Sequence, residues 1–184
     1  APLLGEIEAQ LTQLSASSHW EDQVPFLIQL PGIGLLSAMT ILSAIGDITR
    51  FPTPKKLVGY SGLGGRVHIS GGTRRTGGIT KQGRRELRTV MIEASWSAVR
   101  THRYWKARFA RLEKRIGKQK AIVAFARKLL VVVWHVLSAR AVDRRADVPA
   151  VARSLMTWGA CQGLATGLGL SRPQFVRQQL DQLG

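Results

Sequence analysis

The stretch from residue 59 to 88, GYSGLGGRVHISGGTRRTGGITKQGRRELR, limits what this chain can fold into. Nine of its thirty residues are glycine, and it holds six arginines, one lysine and no acid before Glu86. A packed core is not made from such a sequence. Dense glycine allows the backbone to approach another molecule closely, and the cations indicate a phosphate backbone. A flexible basic surface loop explains the composition equally well.

The rest of the chain predicts a mostly α-helical protein. A chain of 184 residues with 45% hydrophobic content can bury one main core. We expect a helical domain that contains a helix-hairpin-helix and presents the glycine-rich stretch as a loop, which can include a short β-hairpin. Three parts are predicted: a coiled-coil-like helix end at 1–23, the main domain at 24–141 and a helical extension at 142–184.

The charge points to a nucleic-acid partner. The net charge is +16, and residues 51–120 alone hold 18 Lys and Arg against three acids. A globular chain with this balance most often binds nucleic acid. The sequence contains no lipidation motif and no uninterrupted apolar stretch of about 18 residues, so we expect no membrane partner. The single cysteine, Cys161, suits a reducing cytoplasm.

The first helix carries leucine and isoleucine at the spacing of a coiled coil. Leu4, Ile7, Leu11 and Leu14 follow one another at intervals of three, four and three residues. Two interpretations remain open. The residues either pair with another chain or form the inner face of an amphipathic helix on its own core.

Residues 24–45, VPFLIQLPGIGLLSAMTILSAI, have the form of a helix-hairpin-helix. A short helix ending at Leu30, a turn at residues 31–34 and a second helix are predicted. Gly32 and Gly34 are expected to provide unusual dihedral angles and to leave the amides of the second helix free for a phosphate oxygen. An ordinary packing element is the alternative.

Helical periodicity covers most of the remaining chain. Gly46 is expected to end the second helix of the helix-hairpin-helix, and Gly117 is expected to interrupt the helical pattern later in the chain. Thr53 and Pro54 predict the start of a helix, with Lys55 and Lys56 on its first turn, and a helix resumes at about residue 83. Further helices are predicted at 100–115, 118–141 and 151–168, and Ser171 opens a last one with a capping box. We expect Trp105 and Phe109 to face the core. His135, inside the longest apolar run, is predicted to be a core histidine.

The chain offers little metal chemistry of its own. The four histidines and the cysteine lack zinc spacing, and the eleven acids form no pair or cluster for magnesium, so no metal site is predicted. Ser70 has His68 two residues before it but no persuasive catalytic partner in sequence. From these residues alone, a non-enzymatic helix-hairpin-helix module that binds nucleic acid explains the chain.

The spacing within the glycine-rich stretch nevertheless resembles a known family. Gly62-Leu63, Ser70-Gly71, Ile79-Thr80-Lys81-x-Gly83 and Leu87-Arg88 are similar to the C-terminal domain of the DEDD-type insertion-sequence transposases that include the Piv invertase. The resemblance covers about residues 24–140. It implies a recombinase guided by a bridge RNA and acting on DNA as a dimer or tetramer.

The resemblance also implies roles for individual residues. Ser70 would be the nucleophile that becomes joined to a 5′ phosphate of DNA, and Ser61 is its rival. Magnesium would be held by four acids of an N-terminal RuvC-like domain, and this chain alone would bind no cofactor and catalyse little. The resemblance makes Arg74, Arg75, Lys81 and Arg84 the expected phosphate contacts. The helix-hairpin-helix turn adds Gly32 and Gly34, and the basic composition adds Lys55, Lys56, Arg66 and Arg85 as expected nucleic-acid contacts.

Overall fold

The computed structural model describes the backbone of residues 2–70 and 73–184, and the side chains of residues 3–66 and 77–184. In these residues the protein is mostly helical with a two-stranded antiparallel sheet, which confirms the predicted fold class. The helices are α1 Pro2–Ser15, α2 Val24–Ile28, α3 Leu35–Ile45, α4 Pro54–Tyr60, α5 Arg85–Thr101, α6 Arg103–Ile116, α7 Lys118–Ala139, α8 Val148–Ala160, α9 Leu164–Gly167 and α10 Arg172–Leu183. The strands are β1 Gly65–Ser70 and β2 Thr73–Ile79.

Helix α7 lies at the centre of the fold. Helices α2, α4, α5 and α6 all pack against it. Within the described residues it is the one helix long and apolar enough to cross a membrane, and 50% of its most apolar stretch is buried inside the protein. The apolar run therefore builds the core, as expected for a helix that is hydrophobic around much of its circumference. His135 is exposed, so the prediction of a core histidine was wrong.

Glycines end two helices where the sequence predicted. Gly46 follows α3 with φ +64°, and Gly117 separates α6 from α7 with φ +82°. Both glycines adopt backbone conformations that side chains disfavour. The helix predicted at 100–115 begins at Arg103, after a break at His102, and the predicted helix at 151–168 is interrupted at residues 161–163.

Helix α1 is only partly packed on the core. Leu4 and Ile7 are 63% and 51% exposed, and Leu14 is 50% exposed. The other side of the helix is anchored, because the buried Ser15 accepts a 3.0 Å hydrogen bond from the indole of Trp158. The predicted apolar stripe is thus present, and most of it does not pack against other described residues of the chain.

The C-terminal helices share the main core. Helices α8 and α10 pack against each other and against α2. The buried Gln29 also ties α2 to the α7–α8 connection: its amide donates to the Ala141 carbonyl at 3.4 Å and accepts from the Asp143 N–H at 3.0 Å. The capping box at Ser171 is present, which confirms that prediction.

Candidate functional site

The glycine-rich stretch forms an antiparallel hairpin that begins after α4 and ends before α5. Ser70 is the last residue of β1 and pairs with Thr73, the first residue of β2. Gly71 and Gly72 lie outside the described residues. The hairpin therefore places the backbone of the predicted nucleophile at the end farthest from the helical core.

The side chains of several predicted site residues also lie outside the described part of the structure. These are Ser70, Arg74 and Arg75, together with His68. Their backbone pairing is described: His68 pairs with Arg75, and Ile69 pairs with Arg74. The predicted roles of these side chains stay predictions.

The base of the hairpin is closed by a compact set of contacts between residues 60–64 and 80–84, which we call the neck. Backbone hydrogen bonds join its two sides. The donors and acceptors are Thr80 N–H to Gly64 C=O at 2.9 Å, Lys81 N–H to Gly62 C=O at 3.1 Å and Arg84 N–H to Tyr60 C=O at 2.9 Å. The neck thus holds both strands of the hairpin to the helical core at the base of the hairpin.

Two glycines of the neck are required by close packing. Gly83 has φ +125°, and a Cβ there would overlap the carbonyl oxygen of Tyr60 and lie 2.9 Å from its carbon. Gly62 has φ +71°, and a Cβ there would lie 2.6 Å from the Gln82 carbonyl oxygen. Any other residue at either position combines an unfavourable backbone conformation with a collision against main chain.

Arg88 ties the neck to α5. Its Nη1 donates to the Ser61 carbonyl at 3.0 Å and to the Lys81 carbonyl at 3.2 Å, so one guanidinium bridges the two sides. Arg88 belongs to the motif that carries the resemblance, and no role is predicted for it from the sequence. Because its two acceptors lie 27 and 7 residues away in sequence, the pattern of the chain gave no signal for this contact.

Ser61 is held inside the neck. Its side chain is fully buried at 0% exposure. The hydroxyl donates to the Val58 carbonyl at 2.8 Å and accepts from the Leu63 N–H at 3.3 Å. A hydroxyl buried and occupied in this way is structural, and its geometry does not suit attack on an external phosphate.

The cations predicted around the hairpin are available to an external anion. Those with described side chains are all exposed: Lys55, Lys56, Arg66, Lys81, Arg84 and Arg85. Arg84 donates from Nε to the hydroxyl of Tyr60 at 3.0 Å, and this hydrogen bond raises the pKa of the guanidinium. Its position beside the neck is therefore fixed while its charge stays on the surface.

The turn between α2 and α3 gives its two glycines different roles. Gly32 has φ +82°, and a Cβ there would overlap the Ala94 carbonyl oxygen and lie 2.7 Å from the Ala98 nitrogen of α5. Gly32 is thus required for packing against α5. Gly34 has φ −97° and is exposed, with nothing near an added Cβ, so the predicted unusual dihedral at Gly34 was wrong.

A groove of about 1130 Å³ runs from this turn past the α5–α6 corner to α8. Its walls include Arg103, Arg145 and Arg153, none of which we had predicted as site residues. The guanidinium of Arg145 lies 4.6 Å from the ring centre of Tyr104. Partial burial acts to raise the pKa of Tyr104, but the hydrogen bond from Arg108 and the charge of Arg145 lower it overall.

Relatives of the chain are transposases and DNA-inverting proteins by name. A transposase of Sinorhizobium fredii is 34% identical over 74% of this chain and 36% of its own length. The transposase for insertion sequence element IS1111A of Coxiella burnetii is 29% identical over 73% of this chain and 37% of its own. The pilin gene-inverting protein of Moraxella bovis is 30% identical over 72% and 42%. The chain thus spans well under half the length of these curated relatives.

The residues that match a known family are the ones that build the site. Residues 24–110 contain the turn between α2 and α3, the neck, the hairpin and helix α5. It is this segment that matches the transposase IS116/IS110/IS902 family.

Proposed function

We propose that this chain is part of a transposase or recombinase of that family and contributes the nucleophile for DNA cleavage and rejoining. The observation that carries the proposal is the position of Ser70 at the end of β1, on a hairpin whose base is fixed by the neck. An anchored base limits the displacement of the end of the hairpin, which favours a defined geometry for attack by the serine. The burial of the rival Ser61 supports Ser70 as the reacting hydroxyl.

The proposed step is a transesterification. The Ser70 oxygen attacks a DNA phosphorus and loses its proton, a bond forms between them, and the bond from phosphorus to the 3′ oxygen breaks. The departing oxygen takes up a proton to become a 3′ hydroxyl, while the 5′ phosphate stays on the serine. The reverse attack by a 3′ hydroxyl rejoins a strand. Lys81 and Arg84 are exposed at the base of the hairpin, away from Ser70, and would hold other phosphates of the bound DNA.

The proposal assigns magnesium to another part of the protein. Among the described side chains, no group of three His, Cys, Asp or Glu residues fits a metal ion. Four acids of an N-terminal RuvC-like domain would hold the ion, and this chain would bring the serine and its cations. The ion would supply Lewis-acid activation of the phosphate.

Three further partners belong to the proposal. DNA is the substrate, and a structured bridge RNA selects the site. The exposed apolar stripe of α1, which includes Leu4 and Ile7, supports pairing with a second copy into a dimer or tetramer. A DNA substrate places this protein with the bacterial nucleoid in the cytoplasm.

A non-enzymatic helix-hairpin-helix module is the second candidate. The exposed Gly34 and the first amides of α3, which receive no side-chain cap, favour it, because free helix amides bind phosphate without reading bases. This function needs no nucleophile, so it leaves Ser70 without a role.

Trapping a covalent intermediate tests the proposal. The full-length protein that contains this chain is incubated with magnesium, guide RNA and end-labelled target DNA, and the products are separated on a denaturing gel. We expect a protein–DNA adduct with the wild type and none with Ser70→Ala. Ser61→Ala, checked for its fold by circular dichroism, serves as the control and should retain the adduct.

Two results would reject the mechanism. One is DNA cleavage by the wild type without an adduct. The other is an adduct that survives Ser70→Ala. In either case the chain is better explained as a binding module beside a catalytic domain elsewhere.

A further inference from the structure

The groove between α6 and α7 has walls of a single charge. Arg108 and Arg111 lie on the α6 side together with Arg115, and Arg127 and Lys128 lie on the α7 side. All five side chains are exposed, and none of the described side chains that line this groove is acidic. The groove has a volume of about 680 Å³. None of these five residues was among the predicted site residues.

The protein itself does little to neutralise these charges. Among the described side chains, the one ion pair joins Arg140 to Asp22, far from this groove in sequence. Like charges gathered along one groove repel one another, and a solvated surface gains nothing from that arrangement. An external polyanion removes the repulsion and releases its own counterions. We propose that the α6–α7 groove binds the phosphate backbone of a nucleic-acid duplex at a site separate from the hairpin.

The spacing of the arginines suits a row of phosphates. Arg108, Arg111 and Arg115 follow one another at intervals of three and four residues, which places them along one side of α6. At about 1.5 Å of rise per residue they span roughly 10 Å, or about three phosphates of one strand along the duplex axis. Four of the five cations are arginine, whose planar guanidinium matches phosphate oxygens.

The floor of the groove argues for backbone contact without base recognition. It consists of Leu112, Ala124, Phe125 and Val131. Phe125 is 2% exposed and packs edge to face against Trp105, with ring centres 4.8 Å apart, so it has no free face on which a base can stack. Binding here is therefore expected to be independent of sequence.

Arg108 connects this groove to the one beside the α2–α3 turn. Its Nη1 donates to the Tyr104 hydroxyl at 3.1 Å, and Tyr104 lines that other groove together with Arg145. The cationic surface thus continues over Tyr104 from α7 toward α8. A duplex seated in the α6–α7 groove would meet further arginines in that direction.

Removing three charges from the groove tests the proposal in the 184-residue chain. The groove variant carries Arg111→Gln, Arg115→Gln and Arg127→Gln. A matched control carries three substitutions at exposed cations that do not line the groove and loses the same net charge. Its substitutions are Lys114→Gln, Arg172→Gln and Arg177→Gln. Circular dichroism and the thermal midpoint are measured first, to check that both variants keep the fold.

Affinity is measured by fluorescence anisotropy against salt, with duplex DNA and duplex RNA of the same sequence as separate probes. We expect the groove variant to bind at least one duplex about 30- to 100-fold more weakly at ~100 mM salt, with a salt slope smaller by about three, and the control to change by less than about 5-fold. The probe that loses more affinity identifies the nucleic acid. The readout is binding and not cleavage, so this test does not depend on the proposed nucleophile.

Three outcomes would overturn the proposal. An equal loss in the groove and control variants would mean that net charge alone governs binding. Unchanged duplex binding by the groove variant would mean that the groove makes no contact. Vesicles of phosphatidylserine and phosphatidylcholine serve as a third probe. If the groove variant loses affinity for these vesicles alone and not for either duplex, the groove belongs to a lipid surface.

Discussion

Substituting Gly83 by alanine should destabilise the protein through the neck alone. The added Cβ would overlap the Tyr60 carbonyl oxygen and lie 3.2 Å from the Gly62 nitrogen, at a backbone φ of +125°. The strained conformation costs about 1–3 kcal/mol and the collision with main chain about 1–3 kcal/mol. We expect a loss of about 3 kcal/mol, which lowers the melting temperature of a chain of this size by about 6–12 °C.

Gly78→Ala is the matched control within the same hairpin. An added Cβ at Gly78 meets none of the described atoms within 4 Å, and the φ of Gly78 is not positive. It should change the free energy of unfolding by less than about 1 kcal/mol in either direction. Urea unfolding compares the two variants, and hydrogen exchange of the Lys81 and Arg84 amides, which donate across the neck, reports whether the strain is released locally.

A Gly83→Ala variant that unfolds at the same urea concentration as Gly78→Ala and keeps its neck amides protected would refute this prediction. That result would mean that the neck relaxes around a methyl group without cost. Loss of protection without global destabilisation would instead place the whole effect in a local opening.

Three other measurements follow from the structure. Ser61→Ala should cost about 1–3 kcal/mol of stability because the buried Leu63 N–H loses its acceptor, and a neutral result in urea unfolding would argue against that role. Burial, and then the charge of Glu8, raises the pKa of the Cys161 thiol. Iodoacetamide should therefore alkylate Cys161 slowly at neutral pH and faster in Glu8→Gln, whereas equal rates would contradict the charge effect. DNA binding should weaken about 10³-fold or more between about 50 and 200 mM salt if six or more phosphates are contacted, and a flat response would exclude that many contacts.

The sequence predicted best those features that depend on neighbouring residues. Gly46 and Gly117 end helices because positive φ is a local property, and Ser171 forms its capping box with a residue three positions away. The core positions of Trp105 and Phe109 follow from helical periodicity and are confirmed at 2% and 6% exposure.

Features that depend on distant partners were not predictable in this way. The role of Arg88 is defined by Ser61, 27 residues earlier in the chain. The exposure of His135 depends on which face of α7 the other helices cover, and an apolar run does not specify that face. For the same reason, the sequence indicated the basic character of α6 but not the groove that its arginines form with α7.

The neck joins two parts of the chain that share one core. Residues before the hairpin supply α2 and α4, residues after it supply α5 and α7, and these helices pack together. A peptide bond broken within the hairpin would leave two fragments that each carry apolar residues buried against the other, because α4 packs on α7 and α3 packs on α5. Such fragments, produced separately, should recombine into the native fold, which makes the hairpin a natural place to divide this protein for complementation or segmental isotope labelling.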